Sequence, residues 1–486
     1  MLSSFKRLTK HSAVYGLGHI ITRLVNFLLL PLYTNKLVPD EYGVFAVIYT
    51  YLAFMTIVYA YGIDAAFLRF FILSDDPKKR REIFSTAFWA IFIVASVFTV
   101  LIYLNVESIT HFVVAKGDYT ELIQLGSLIL LFDALAFLPF LYLRAEEKSL
   151  NFVLIKFINV LINVSLNIYY IFYLHKGVEG IILANAWASA ITFLLLIPIL
   201  FRQISFNFLW AKFKELLKFG LPYLPSTLAV VLLDLVDRVI LEKMVGLKVT
   251  GIYSAGYKLG IFMGLFVTAF RFAWHPFFLS TSKEKNAKEI FSKVLTYFTL
   301  IAAGIFLIIS FFIDELVRFR IFGFTIFGAD YWEGTKVVPV ILLSYLIYGM
   351  YVNFIVGIHL EKKTKFLPFI TGAGAGVNII ANIVLIPIFG MMGSAFATVL
   401  GYLVMAVMLY LFAQKLYAIP YEFGRLFKLA VVVTVVFSFG YFFNGSWMNV
   451  IKCLLILGFP LILFLTGFFE RKELDTLRGI LGGKLG

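Results

Sequence analysis

Fourteen runs of about twenty mostly apolar residues dominate this sequence, and no soluble fold can bury that many. They cover residues 12–33, 42–66, 83–104, 122–143, 152–174, 180–201, 219–241, 251–274, 293–313, 336–359, 367–387, 393–413, 427–443 and 448–469. A helix crosses the hydrocarbon core with about 20 apolar residues, because only a helix or a closed barrel satisfies its own backbone there. The chain is 61% hydrophobic and 14% charged, whereas soluble domains carry about 45–50% and about 25%. The expectation is an all-α integral membrane protein with about 14 transmembrane helices. The 55 Phe and 26 Tyr suit lipid-facing surfaces and interfacial belts. The first run, Ser12 to Tyr33, is long enough to remain as a span rather than be removed as a signal peptide.

A net charge of +14 could point to nucleic acid, but its placement points to topology instead. With the N-terminus placed in the cytoplasm, inside segments carry 27 Lys and Arg and outside segments carry 8. The inside set includes Lys78 to Arg81, Lys283, Lys285, Lys362, Lys363 and Lys472; the outside set includes Lys36, Lys116 and Arg320. This positive-inside bias predicts both termini in the cytoplasm and a multi-pass protein of the cytoplasmic membrane. No nucleic-acid partner is expected.

Soluble chemistry has little room here. No loop exceeds about 20 residues. One cysteine, Cys453, precludes an internal disulfide, and the six His show no ligand spacing, so neither a metal nor a cofactor is expected. No GxxxxGK[ST] phosphate loop is present, so ATP hydrolysis by that route is excluded. "GAGAGVN" (Gly372 to Asn378) lies within a span, where small residues serve close helix contact rather than a dinucleotide.

The two halves of the chain echo each other. "NKLVPDEYGVFAV" (Asn35 to Val47) is matched about 208 residues later by "KMVGLKVTGIYSA" (Lys243 to Ala255), with Gly43 falling on Gly251. "NVSLNIYYIFYLHKGVEGIILAN" (Asn163 to Asn185) is matched by "NIIANIVLIPIFGMMGSAFAT" (Asn378 to Thr398). There Asn163 and Asn167 fall on Asn378 and Asn382, and Gly177 and Gly180 on Gly390 and Gly393. Each unit holds six spans, an even number, so both insert with the same orientation. The expected organisation is a six-helix lobe over 1–203, a second over 204–418, and an extra helix pair with a cytoplasmic tail over 419–486. Transporters use such repeats and bind substrate between them near mid-bilayer.

These stretches resemble a known family. "LPLYTNKLVPDEYGVFAV" (Leu30 to Val47), "YGIDAAFLRFF" (Tyr61 to Phe71), "FGLPYLPSTLAVVLLDLVDRVIL" (Phe219 to Leu241), "GIYSAGYKLG" (Gly251 to Gly260) and "FRFAWHPFF" (Phe270 to Phe278) stand in the order and spacing of the Wzx-type oligosaccharide flippases. Those belong to the multidrug/oligosaccharidyl-lipid/polysaccharide exporter superfamily, and the likeness covers nearly the whole chain. It implies two six-helix lobes and a polyprenyl-diphosphate-linked oligosaccharide moved from the inner to the outer leaflet by alternating access. Fourteen spans also resemble the lipid II flippases, but the Arg-rich first hairpin associated with that subfamily is missing here. Membrane lipids, and H⁺ or Na⁺ as coupling ions, are the other partners implied.

Charges inside spans are costly, from roughly 3 kcal/mol each upward, so each needs a reason. Arg23 lies near the middle of span 1 and Asp133 near the middle of span 4. Asp234, Asp237 and Arg238 lie in the outer half of span 7, Lys258 at a similar level in span 8, and Arg271 near the cytoplasmic end of span 8. Asp234, Arg238 and Glu242 are spaced i, i+4, i+8 and can form a structural salt-bridge ladder. Asp237 lacks a partner at i±4, and Lys258 is a candidate for it. The functional reading takes Arg23, Arg238, Lys258 and Arg271 as ligands of the diphosphate, since a guanidinium fork matches phosphate oxygens and does not deprotonate. Asp133 and Asp237 are then the candidates for ion coupling. A cation-coupled multidrug exporter is the alternative, and its cavity should be acidic and aromatic. A membrane-embedded polymerase or acyltransferase would need a large outer loop or a catalytic His, and neither stands out.

Overall fold

The computed structural model describes residues 27–321, 323–442, 447–470 and 473. In chain order its helices are α1 (Leu30–Lys36), α2 (Pro39–Ala60), α3 (Ile63–Ile72), α4 (Pro77–Leu104), α5 (Val106–Val113), α6 (Thr120–Ala145), α7 (Ser149–Asn167), α8 (Gly177–Gln203), α9 (Trp210–Gly220) and α10 (Leu224–Val245). There follow α11 (Leu247–Leu259), α12 (Ile261–Thr281), α13 (Ala287–Arg318), α14 (Val338–Phe354), α15 (Val356–Leu360), α16 (Leu367–Phe389), α17 (Met391–Leu416), α18 (Phe423–Phe442) and α19 (Met448–Leu465). A wider π-helical turn, Ile168–Tyr173, extends α7. A short antiparallel hairpin, β1 (Arg320–Ile321) with β2 (Phe324–Thr325), was not anticipated from the sequence; Arg320 pairs with Thr325 and Ile321 with Phe324.

Local chemistry sets these boundaries. Pro39 opens α2, Asp40 and Glu41 occupy its first turn, and the Glu41 carboxylate accepts the Val38 N–H at 3.3 Å. Acidic groups at a helix start complement its exposed N–H groups and dipole. Asp76 caps α4 by accepting the Lys78 N–H at 2.9 Å. Pro225 lies in the first turn of α10, and the helix stops at Gly246, whose φ of 103° suits only glycine.

Twelve helical stretches among the described residues are long and apolar enough to cross a membrane, which makes this a multi-pass membrane protein. They correspond to the expected spans other than the first and the seventh. Span 1 (12–33), with Arg23, lies largely outside the described residues. Span 7 is the 22-residue helix α10, whose five charged residues, Asp234, Asp237, Arg238, Glu242 and Lys243, set it apart from the twelve. Span 8 is not one rod: it divides at Gly260 into α11 and α12.

The described residues form two compact units. One gathers the chain up to Leu259 with Val317–Val337 and Lys365–Met405; the other gathers Gly260–Leu316, Val338–Thr364 and the chain from Ala406. Within the second, Trp274 is buried among Phe270, Phe277, Phe278 and Phe291. Its last two helices are fastened by charge: Arg425 pairs with Glu422 and Glu473, Lys293 with Glu470, and Lys452 with Glu315.

The first unit contains segments from both sequence halves and shows the repeat as repeated geometry. Asn167 Nδ2 donates to the Asn163 carbonyl and side-chain oxygens at 2.8 and 3.0 Å, and Asn382 Nδ2 does the same to Asn378 at 2.9 and 3.2 Å. Gly177 and Gly390, predicted mates, share left-handed φ values of 54° and 56°. Gly43 on α2 packs against the backbone of Leu247 on α11, and its mate Gly251 on α11 packs reciprocally against the carbonyl of Pro39 on α2. A Cβ at either position would run into the opposing backbone.

Candidate functional site

The close crossing of α2 and α11 decides what lies beside it. Beside the glycine contact, Tyr42, Phe45 and Tyr49 of α2, spaced as one helical face, line a common cavity. Together with α1, α7, α8 and α10 these helices enclose a cavity of about 420 Å³. Its lining carries Arg238 and Lys258, the amides of Asn159, Asn163 and Asn185, and no carboxylate among the described residues.

Lys258 projects from α11 into an aromatic box. Its Nζ stands 4.8 Å from the Phe45 ring centre, 5.3 Å from Tyr42 and 5.9 Å from Tyr33. The ring faces hold the ammonium by their quadrupoles. Among the described residues it has neither an ion pair nor a hydrogen bond. The ammonium therefore faces the cavity with its donors available for an anion.

Arg238, on α10, is differently placed. Its Nη1 lies 2.6 Å from Asp237 Oδ1 and also donates to the Asp234 backbone carbonyl. Its guanidinium sits 4.2 Å above the Tyr257 ring and 5.8 Å from that of Tyr253. Tyr253 O–H donates to the other Asp237 oxygen at 2.6 Å. Both members of the pair are buried, Asp237 fully and Arg238 to 6% exposure. A buried pair of this kind stabilises only because its remaining hydrogen-bonding positions are filled, and removing one partner is severe.

This corrects two expectations about the outer half of span 7. Asp237 does not pair with Lys258; its partners are Arg238, the very next residue, and Tyr253 across the α10–α11 turn. Nor does the ladder extend to Glu242, which instead accepts the Ala115 N–H at 3.0 Å. Asp234 accepts the Tyr402 hydroxyl. The long Arg238 side chain curls back along its helix, which spacing between Cβ positions does not anticipate.

Other sequence candidates lie elsewhere. Asp133, on α6, borders a small space beside Thr56 and Tyr59 rather than the larger cavity. Arg271 belongs to the second unit, where its Nη1 donates to Tyr348 at 3.2 Å. Arg23 is outside the described residues.

Sequence reasoning missed the amides. Asn185 Nδ2 donates to Tyr49 at 2.7 Å, Asn159 Nδ2 donates to Thr192 Oγ1 at 2.8 Å, and Tyr33 donates to Asn167 Oδ1 at 2.9 Å. The signal was present: Asn159, Asn163 and Asn167 recur every four residues and so share one face of α7. Chemically the cavity offers one cation free of carboxylates, a second cation held by a carboxylate, flat amphipathic rings, and amides. That set suits an anionic ligand bearing hydroxyls.

Comparison with known proteins agrees with this architecture. A solved lipid II flippase MurJ, in an inward closed conformation, superposes with a TM-score of 0.76 at 16% identity, covering 94% of this chain and all of that one. An inward-facing multidrug resistance MATE family transporter of the MOP superfamily gives 0.63 at 14% identity, covering 84% of this chain and 96% of its own. At these identities the likeness shows a shared transporter fold. A Haemophilus influenzae protein named for the Lsg locus is 23% identical over 355 residues, 70% of this chain and 84% of that protein. The family model described as "Polysaccharide biosynthesis protein" matches residues 8–282, more than half of the chain. With the all-α membrane fold, these findings make the chain a member of the polysaccharide biosynthesis protein family, built on the fold of the MOP-superfamily transporters.

Proposed function

We propose that the protein flips a polyprenyl-diphosphate-linked oligosaccharide from the inner to the outer leaflet of the cytoplasmic membrane, for assembly of cell-surface polysaccharide. The observation that carries this reading is Lys258: an ammonium lodged among three rings, with no carboxylate in its cavity among the described residues. A diphosphate supplies the missing counter-charge, and the amides and tyrosines around it suit sugar hydroxyls. The same lining disfavours export of cationic drugs, which needs an acidic cavity. In this reading the two six-helix lobes, 1–203 and 204–418, rock about the repeat axis, with both termini in the cytoplasm. Arg238 supports the diphosphate from its fixed position, while Arg23 and Arg271 meet it elsewhere on its path. With no GxxxxGK[ST] motif in the sequence, the energy comes from gradients or from product removal, and the membrane potential helps: moving two negative charges out of a negative interior gains roughly 4–5 kcal/mol at 100 mV. Asp133 and Asp237 are the groups through which H⁺ or Na⁺ would couple.

The test is reconstitution into vesicles with a fluorescent lipid-diphosphate-sugar, run beside a cationic dye. Flipping of the lipid without export of the dye is expected. Lys258→Met should reduce flipping at least tenfold, and Lys258→Arg should keep much of it. Wild-type flipping by Lys258→Met, or dye export in place of lipid flipping, overturns the proposal.

A further inference from the structure

After α13 the chain crosses back over the α1–α2 corner. Residues 324–337 form a strap that runs from β2 into a 3₁₀ segment, Ala329–Val337. Three points tie it to the corner. Asn35 Nδ2 donates to the Thr325 carbonyl at 2.8 Å, and Thr325 Oγ1 donates to Asn35 Oδ1 at 3.0 Å. The Gly328 N–H donates to Thr34 Oγ1 at 3.0 Å. The Tyr331 hydroxyl, on a fully buried side chain, donates to the Leu37 carbonyl at 2.9 Å. The strap also meets α11 backbone to backbone: Gly334 packs against the carbonyl of Ile252, and Gly256 against that of Gly334.

Two observations separate this strap from an ordinary connection. The first is its place in the chain. Val317–Val337 belongs to the first compact unit, whereas α13 up to Leu316 and α14 from Val338 belong to the second. The chain leaves the second unit, docks on the first and returns, so a displacement of one unit against the other pulls on the strap at both ends. The second is its reach toward the cation site. Tyr331 meets Tyr42 edge-on, with ring centres 5.6 Å apart and planes at 77°. Tyr42 is one of the three rings around the Lys258 ammonium. Its own hydroxyl is buried and makes no hydrogen bond among the described residues. Its place therefore depends on packing, which the rings of Tyr33, Phe45 and Tyr331 supply. No described residue of the strap lines the cavity itself, so the strap can influence the ammonium only through such a neighbour.

We infer that Tyr331 is a positioning residue for the anion site: the docked strap fixes Tyr42 against Lys258, and a strap that leaves the α1–α2 corner loosens the aromatic box and releases the diphosphate. The inference rests on the flippase reading above and adds to it what couples release to movement of the two units. The strap stands at the end that the positive-inside bias assigns to the outside, the side on which the headgroup must leave.

Full-length protein tests this, with flipping read in vesicles and binding read with a short-chain diphosphate-sugar. Asn35→Cys with Thr325→Cys, in a Cys453→Ala background, puts thiols on two residues that join strap to corner. Linking them with a short bifunctional thiosulfonate should leave binding unchanged and lower flipping at least tenfold, and reductant should restore it. Tyr331→Leu should weaken binding at least fivefold. Tyr331→Phe should weaken it less than twofold, because phenylalanine keeps the edge contact with Tyr42. In a Lys258→Met background Tyr331→Leu should add less than a twofold loss, which a general loss of structure would not spare. Wild-type flipping by the linked protein, or thiols that do not link, overturns the inference. So does wild-type affinity in Tyr331→Leu, or an equal loss from it with and without Lys258. Wild-type protein that fails to bind the short-chain ligand refutes the cavity reading, and this inference with it. Intact wild-type binding beside any of the other adverse results refutes the strap alone.

Discussion

Two sets of repeat mates in the same unit have had opposite histories. Gly43 and Gly251 are used identically: each presses on the backbone that carries the other, so the contact is its own mirror. The asparagine pairs share a bonding pattern but not a setting. Asn163 is half-buried and lines the cavity beside Asn159 and Asn185. Its mate Asn378 is fully buried against Gly401, and Asn382 is locked further by the Ser394 hydroxyl, which donates to Asn382 Oδ1 at 2.8 Å. One duplication therefore produced a symmetric joint, and also a polar pair that opens on a cavity in one copy and is sealed in the other. Local bonding followed the repeat, whereas access followed the neighbours.

Substitutions can break or sharpen this contrast. Gly43→Val and Gly251→Val should be the most damaging and should match each other, because backbone on the far side cannot yield. Overpacking of this kind costs about 3 kcal/mol, read as equal falls in thermal midpoint; a large inequality would break the symmetry argument. Asn382→Leu should follow, at about 2 kcal/mol for a buried polar pair within a bilayer, since it strands Ser394 and Asn378 together. Asn163→Ala should leave the midpoint nearly unchanged but weaken lipid-diphosphate-sugar binding about tenfold, close to 1.4 kcal/mol. Asn378→Ala should do the reverse on a smaller scale, with about 0.6 kcal/mol of stability lost and binding retained. If Asn163→Ala and Asn378→Ala behave alike in the binding assay, the two copies have not diverged in use.

Most of the fold could be read from the sequence because lipid leaves a chain so few options. The apolar runs mark the spans, and the matched glycines and asparagines mark the repeat. Span 7 is the instructive case: it was counted as a span despite its charges, and α10 forms because Asp237, Arg238 and Tyr253 satisfy one another. The site was half legible. Lys258 and Arg238 were singled out by their cost in a membrane, but pairing of neighbours at i, i+1 depends on how a long side chain folds back. The asparagine row on α7 was noticed as a repeat marker and not as a cavity wall, since an amide carries no charge to betray it.

The α2–α11 crossing has a kinetic consequence. Where interlocked leucines or phenylalanines part, each must find new rotamers, and each is re-ordered on return at an entropic cost of about 0.5–1 kcal/mol for a residue such as leucine. At Gly43 and Gly251 the backbones meet with no side chains between them. In the alternating-access cycle proposed above, such a contact would separate and re-form without waiting for any rotamer to settle, so the joint itself would add little friction.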